Sequence, residues 1–257
     1  TITASDWIKQ FIIRRTVTLS VLLAVVVVLS WGARWHWALD LISHFPVQVA
    51  ATALVPLAIL LGFRQWRAAI LPTVVLAISA AQLLPLYLPA RQPSYSGTVI
   101  RAVSANVLRS NQEHATFIEY IRASQPDFFL VLEVDEIWLA ELQPLHDDYP
   151  YSIAQPGRGA FGIAFYSRVP IEDYEIIDSE VARVPMIRAT LVFDDRPLSI
   201  VGVHPLPPVK SGTSAMRNGQ LEEIAALTAP LPSPKLLLGD LNVTSWSPHF
   251  GDLLRNS

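Results

Sequence analysis

The stretch PSPKLLLGDLNVTSWSPHF, residues 232–250, runs an apolar segment into a carboxylate and an amide two residues apart. Lys235-Leu236-Leu237-Leu238 is short, apolar and bounded by prolines, which reads as a buried strand, with a short helical segment as the alternative. Along an extended chain, side chains i and i+2 share a side, so Asp240 and Asn242 are expected to project together from the strand's C-terminal end. Gly239 lets the backbone approach a neighbour closely or take a strained angle. A carboxylate beside an amide suits the orienting and deprotonation of a water. The plainer alternative is a Gly-Asp-x-Asn turn that only closes the strand.

Working outward, the 257 residues fall into two unlike parts. Residues 1–90 carry only eight charged side chains: Asp6, Lys9, Arg14, Arg15, Arg34, Asp40, Arg64 and Arg67. Residues 91–257 hold 13 Lys+Arg and 20 Asp+Glu, a formal charge of −7. The expectation is a membrane region over 1–90, a polar linker over 91–97 and one globular domain over 98–257, large enough for a sizeable core. The chain has no cysteine, so disulfides and thiolate metal sites are excluded. Position 1 is Thr, from which a processed or partial chain is expected.

Three uncharged stretches follow one another: 18 residues over 16–33, 19 over 45–63 and 23 over 68–90. Each is near the roughly 20 residues that a spanning helix needs. A buried core helix would explain one of them but not three in succession with Trp31, Trp35, Trp37 and Trp66 at their edges. A signal peptide would explain only the first. Transmembrane helices are therefore expected at about 12–33, 45–63 and 68–90, kinked at Pro56, Pro72 and Pro85. Lys9, Arg14 and Arg15 precede the first, Arg34 alone follows it, and Arg64 and Arg67 stand between the second and third. Positive charge stays cytoplasmic, so residue 91 onward is expected outside: in the periplasm of a Gram-negative cell beyond its inner membrane, or otherwise extracellular.

The rest alternates strands and helices. TVIRAVSANV, DFFLVLEV, the pair around Pro156-Gly157-Arg158-Gly159, IEDYEIIDSE, MIRATLVFDD and RPLSIVGVH read as strands, with Asp194-Asp195 as a turn. Helices are expected over 111–125, from Asp135 at least to Gln143, and over 211–229. Strands buried on both faces suggest stacked sheets under helices. Asn106, Glu133 and His204 each sit at a predicted strand end, as Asp240 does, and each can bind a metal, a phosphate oxygen or a water. Singly, Asn106 also reads as a turn residue, Glu133 as a solvated strand end and His204 as a strand cap.

SANV, DFFLVLEV, FGIAFYSRVPI, GVHPLPP and LLLGDLNVTSWSPHF together resemble the endonuclease/exonuclease/phosphatase superfamily over about residues 98–250. The nearest likeness is to bacterial membrane-anchored members. The resemblance implies an α/β four-layer sandwich and metal-dependent phosphoester hydrolysis with Mg²⁺ or Mn²⁺. It implies that Asn106 and Glu133 bind the metal and that His204 holds the scissile phosphate. It also implies that Asp240 and Asn242 orient and activate the attacking water, with Arg188 as a weaker candidate for a phosphate contact. The family pattern continues through further strands to a Ser-Asp-His motif that does not occur before Ser257, so a longer natural chain is expected.

A charge of −7 disfavours nonspecific duplex DNA, which is bound through clustered Lys and Arg. Tethering at a membrane favours a phosphodiesterase or phosphatase acting on a lipid headgroup or another small phosphoester, with a nucleic acid as the less favoured substrate. The rival expectation is a noncatalytic membrane subunit, partnered by other membrane proteins, whose hydrolase-like domain serves as a docking surface.

Overall fold

The computed structural model describes residues 3–88, 98–157 and 159–257. The expected linker over 91–97, the end of the third expected span and Arg158 of the Pro-Gly-Arg-Gly turn lie outside them. The chain forms two units: Thr1–Ser94 with Thr244–Pro248, and Tyr95–Val243 with His249–Ser257.

The first unit is helical: α1 (Ala4–Ser30), α2 (Trp37–Ser43), α3 (Pro46–Gly62) and α4 (Trp66–Tyr87). Helix α1 starts well before the apolar run because its polar first turn is capped. Thr3 Oγ1 accepts from the Asp6 amide at 3.2 Å, and the Asp6 carboxylate accepts from the Thr3 amide at 3.3 Å. Helices α1 and α4 are long and apolar enough to cross a membrane. Helices α2 and α3 pass the same test only together, as a pair bent by 64°. The bend falls just before Pro46, where a proline suits a new helix start, while α3 and α4 run through Pro56, Pro72 and Pro85. Leu23, Val27, Val49, Ala53 and Val75 form the bundle core, and the small Ala53 lets backbones approach. Val21, Leu22, Val25, Leu54, Val55, Ile70 and Val74 face outward.

The second unit begins with β1 (Ala102–Asn106), α5 (His114–Ser124), β2 (Phe128–Leu132), α6 (Glu136–Glu141), β3 (Tyr151–Gln155) and β4 (Ile163–Ser167). It continues with β5 (Ile171–Asp178), β6 (Pro185–Phe193), β7 (Arg196–Val203), α7 (Ser211–Thr228), β8 (Lys235–Gly239) and α8 (Pro248–Asn256). The helix expected from Asp135 is shorter than expected, ending at Glu141 and passing into a 3₁₀ turn at Gln143–Leu145, where Pro144 removes a backbone donor. One sheet has the order β1-β2-β4-β3 and the other β5-β6-β7-β8. Within them β1 pairs parallel with β2, and β7 with β8, so the C-terminal ends of each pair lie side by side.

Alternation along the strands decides which residues meet. Phe128, Leu130 and Leu132 of β2 face Ile187, Ala189, Ile200 and Leu238 of the second sheet in a shared core. Phe129 and Val131 face the other way, onto Ile121 of α5 and Trp138 of α6. Met186, Val201 and Val203 pack under Leu221 and Ile224 of α7 and Leu253 of α8. A strand covered on both faces must be apolar at every position, which is why β2 reads FFLVL without a polar break.

Candidate functional site

Asn106 is the last residue of β1, Glu133 follows β2, His204 follows β7 and Asp240 follows β8. Parity sets their direction. Asn106 shares its face with Ala102, His204 with Gly202, and Asp240 with Leu238, and all three of those residues point between the sheets. Glu133 would by parity point away, but its φ of 64° turns the chain at that residue. Its amide donates to the Gly162 carbonyl at 2.8 Å, which helps to hold this uncommon conformation.

Four of the expected site residues come together. Asn106 Nδ2 donates to Glu133 Oε1 at 2.8 Å and to Asp240 Oδ2 at 3.4 Å. His204 Nε2 lies 4.0 Å from the same Asp240 oxygen. The cluster is graded in burial: Asn106 is exposed, Glu133 half-buried, and His204 only 4% exposed. Burial holds the His204 imidazole below its ordinary pKa, against the opposing pull of the Asp240 and Glu133 carboxylates. Its Nδ1 is buried and has no hydrogen-bond partner among the described residues.

The GDLN stretch departs from the extended reading. The strand stops at Gly239, and Asn242 sits at φ 48°, so Asp240 and Asn242 do not project as an extended pair. Instead Asp240 Oδ1 accepts from the Asn242 amide at 3.0 Å, and Asn242 Nδ2 donates to the Pro205 carbonyl at 2.8 Å. The local turn won, as Asx chemistry favours. Asn242 thereby ties the loop after β8 to the residue beside His204. Gly239 is obligatory: at φ 140° a Cβ would sit 1.8 Å from the Val203 carbonyl oxygen.

Arg188 is not brought to the cluster. It lies in the middle of β6, and its guanidinium pairs with Asp173 at 3.1 Å and Glu175 at 3.2 Å. Parity explains this, since its neighbours Ile187 and Ala189 occupy the inter-sheet face.

Three residues that sequence reasoning missed support the cluster. Arg217 of α7 is fully buried and donates through a guanidinium N–H to the Asn242 carbonyl at 2.8 Å and from Nε to Asn218 Oδ1 at 2.7 Å. Gln220 Oε1 accepts from the Leu206 amide at 2.9 Å, holding the segment after His204. Arg109 lies on the open side, its amide 3.4 Å from Glu133 Oε2 and its Nε 3.1 Å from Asp135. A cleft of about 370 Å³ opens there between Arg109, Asn111, His114 and Trp138. The only sequence signal for Arg217 and Gln220 is polar residues on the helix just after the His204 strand.

The arrangement offers two carboxylates and an amide within reach of one ligand, with a neutral, desolvated imidazole behind them. Among the described residues no three His, Asp or Glu side chains converge as a self-sufficient metal cluster.

No curated protein matches this sequence. In fold, the chain is similar to TDP2 from D. rerio complexed with a single-strand DNA product. The TM-score is 0.51 at 16% identity, covering 60% of this chain and 64% of that one. It is similar to sphingomyelinase C from Streptomyces griseocarneus, with a TM-score of 0.50, 20% identity, and coverage of 61% and 68%. It is also similar to a variant of beta toxin from Staphylococcus aureus with bound magnesium ions, with a TM-score of 0.50, 20% identity, and coverage of 62% and 70%. The chain thus spans less than two thirds of the TDP2 chain, and at these identities the likeness is one of fold. The model of the Endonuclease/Exonuclease/phosphatase family matches residues 103–257, the whole stretch from β1 onward. The chain belongs to that family.

Proposed function

We propose that this protein is a membrane-anchored, divalent-metal-dependent phosphoester hydrolase whose globular domain works outside the cytoplasm. The observation that carries the reading is the convergence of Asn106, Glu133, His204 and Asp240 from four strand ends in two sheets. The residues fit a hard divalent cation. Mg²⁺ takes one or two protein carboxylates and fills its shell with water and substrate oxygens, so a set of Glu133 and the Asn106 amide suffices. Mn²⁺ suits the same oxygen donors. Bound there, the cation supplies charge neutralisation at phosphoryl oxygens. The magnesium-bearing beta toxin variant of similar fold supports this choice.

In this reading Asp240 takes a proton from the attacking water, and Asn106 and Asn242 hold that carboxylate in place. His204, neutral and desolvated, offers an N–H to a phosphoryl oxygen. Asn242 acts through Asp240 and the Pro205 carbonyl rather than by touching substrate. The helices outside each sheet, with two sheets between, support the four-layer sandwich for a domain over 98–257, joined by a linker over 91–97 to a membrane region over 1–90. The bent pair α2 and α3, taken as one span, would be the third, and the Lys and Arg distribution favours a domain in the periplasm or outside the cell. The formal charge of −7 over 91–257 favours a lipid headgroup or another small phosphoester over a nucleic acid, despite the DNA complex of D. rerio TDP2.

The test is turnover by the full-length protein across phospholipids, nucleotides and single- and double-stranded DNA, with Mg²⁺, with Mn²⁺ and with chelator. Asp240→Asn should lower the rate about 10²–10⁴-fold. Equal rates in wild type and Asp240→Asn would reduce the GDLN stretch to a turn. A cytoplasm-only reporter fused after Ser257 should stay silent, and a strong signal would reverse the orientation.

A further inference from the structure

The helical unit contains a second concave site, and its lining is unusual. A cleft of about 320 Å³ is bounded by Trp31, Arg34, Trp35, Ser43, Gln82 and Trp246. Trp31 and Trp35 are 60% and 82% exposed, so two indoles present their faces openly.

The third indole is fixed. Trp246 Nε1 donates to the Gln82 carbonyl at 3.3 Å. On either side of it, Ser247 Oγ donates to Asp40 Oδ1 at 2.7 Å, and Thr244 Oγ1 lies 2.6 Å from His44 Nδ1. Asp40 and Ser247 are each 2% exposed. A polar network buried to that degree is costly to leave incomplete and holds one geometry. Trp246 is thus held as a rigid wall of the cleft.

The level of the cleft identifies its occupant. Trp31 is the C-cap of α1. The uncharged run of α1 begins at Thr16 and, at 1.5 Å per residue, rises about 21 Å to the helix end at Ser30, and Trp31, Arg34 and Trp35 lie in the turn that follows. The whole of α1, 27 residues, is long enough to span a hydrocarbon core about 30 Å thick, so the turn at its C-terminal end stands where headgroups begin. Indole faces attract alkylammonium groups, and a guanidinium matches a phosphate. A single molecule carrying both groups a few bonds apart is a zwitterionic phospholipid headgroup.

We propose that this cleft binds the headgroup of a phosphatidylcholine or phosphatidylethanolamine, with Trp31, Trp35 and Trp246 around the ammonium and Arg34 on the phosphate. The proposal rests on the reading that α1 crosses a bilayer, and it is independent of hydrolysis. Tryptophans at a membrane interface also serve as plain anchors, but an anchor needs neither a cation among them nor a wall fixed by a buried network.

The test uses the full chain in detergent, with Asp240→Asn introduced so that turnover cannot interfere. Calorimetric titration compares dihexanoylphosphatidylcholine below its micelle concentration with dihexanoylphosphatidylglycerol, free phosphocholine and inorganic phosphate. Saturable binding of the first, tighter than the other three, is expected. Arg34→Gln and Trp35→Leu should each weaken it by about fivefold or more. Equal binding of phosphatidylglycerol would overturn the ammonium role, and equal binding of phosphocholine would make the ligand a soluble metabolite. Binding unchanged in both variants would leave the tryptophans as anchors only. Turnover of wild type and of Arg34→Gln on a soluble phosphodiester tells failure here from failure of the hydrolase reading. The two should match there, and inactivity of both would strike at the hydrolase alone.

Discussion

The first sheet brings Asn106 and Glu133 to the site, and the second brings His204 and Asp240. The two pairs are built differently. Asn106 is exposed and Glu133 half-buried, and their supports are backbone amides and the exposed Arg109. His204 is buried, and the loops around it are tied from behind by Asn242, Arg217 and Gln220. One edge thus presents oxygen atoms to solvent, where a cation can enter. The other holds His204 and Asp240 in fixed geometry, which suits the acid–base role proposed for them. The contrast predicts that damage to the second edge shows in stability, and damage to the first shows in ligand response.

The largest expected effect separates two arginines. Arg217→Met removes donors from the Asn242 carbonyl and from Asn218 inside the fold. Leaving these half-buried acceptors without their buried donor should cost about 3 kcal/mol in denaturant unfolding. Arg109→Met, on the open side, should cost at most ~1 kcal/mol, as exposed ion pairs do. Equal losses would dissolve the contrast.

Metal response should divide the edges the other way. At a hundredfold excess of Mg²⁺ or Mn²⁺ over its dissociation constant, the wild type should gain about 2.7 kcal/mol, read as a raised thermal midpoint. Glu133→Ala should abolish that gain, while Arg217→Met should retain it on a lower baseline. A gain surviving in Glu133→Ala would move the cation elsewhere.

A finer cut lies within the second edge. Asn242 combines a left-handed backbone at φ 48° with a side-chain bond to Pro205. Asn242→Gly loses only the bond, whereas Asn242→Ala loses it and adds left-handed strain. Ala should therefore be less stable than Gly by about 1 kcal/mol. Matching midpoints would mean that the loop relaxes and that the turn is not a fixed support.

The same contrast explains what could be read from sequence. β2 was legible because burial on both faces forces an unbroken apolar run. The β6–β7 hairpin was legible because Asp194 and Asp195 tolerate the positive φ, 49° and 61°, that such a turn needs. The residues at strand ends, Asn106, Glu133, His204 and Asp240, were legible as polar stops on apolar runs, and the structure places them together. Arg217 and Gln220 were not, because a polar residue on a helix next to charged neighbours looks like solvated surface until the helix is docked. Arg188 misled for the matching reason, since position in a strand says nothing of sheet face until the neighbours are assigned. The 64° bend between α2 and α3 was hidden as well, because two short apolar helices and one long one share a composition.

The smallest expected effect is in pH, and it too divides the edges. Burial lowers the His204 pKa, and Asp240 and Glu133 partly restore it, so the net shift is the remainder of opposed causes. With the folded value below the unfolded value of about 6.5, the unfolded chain binds more protons as pH falls. The stability contribution is therefore full above about pH 6.5 and is lost as pH falls through the folded value. On the first sheet's side, Asp135 is also lowered, chiefly by the backbone hydrogen bond from Trp138 at 3.0 Å. Its contribution is lost only as pH falls below about 3.9, the ordinary carboxylate value. Between pH 7.5 and 5.5 only the second edge should respond. Thermal midpoints in chelator at those two pH values should drop further for wild type than for His204→Gln. Asp135→Asn should drop as much as wild type, because its group does not titrate in that window. Equal drops in wild type and His204→Gln would mean that the imidazole is solvated, and the second edge would lose its buried histidine as a distinguishing feature.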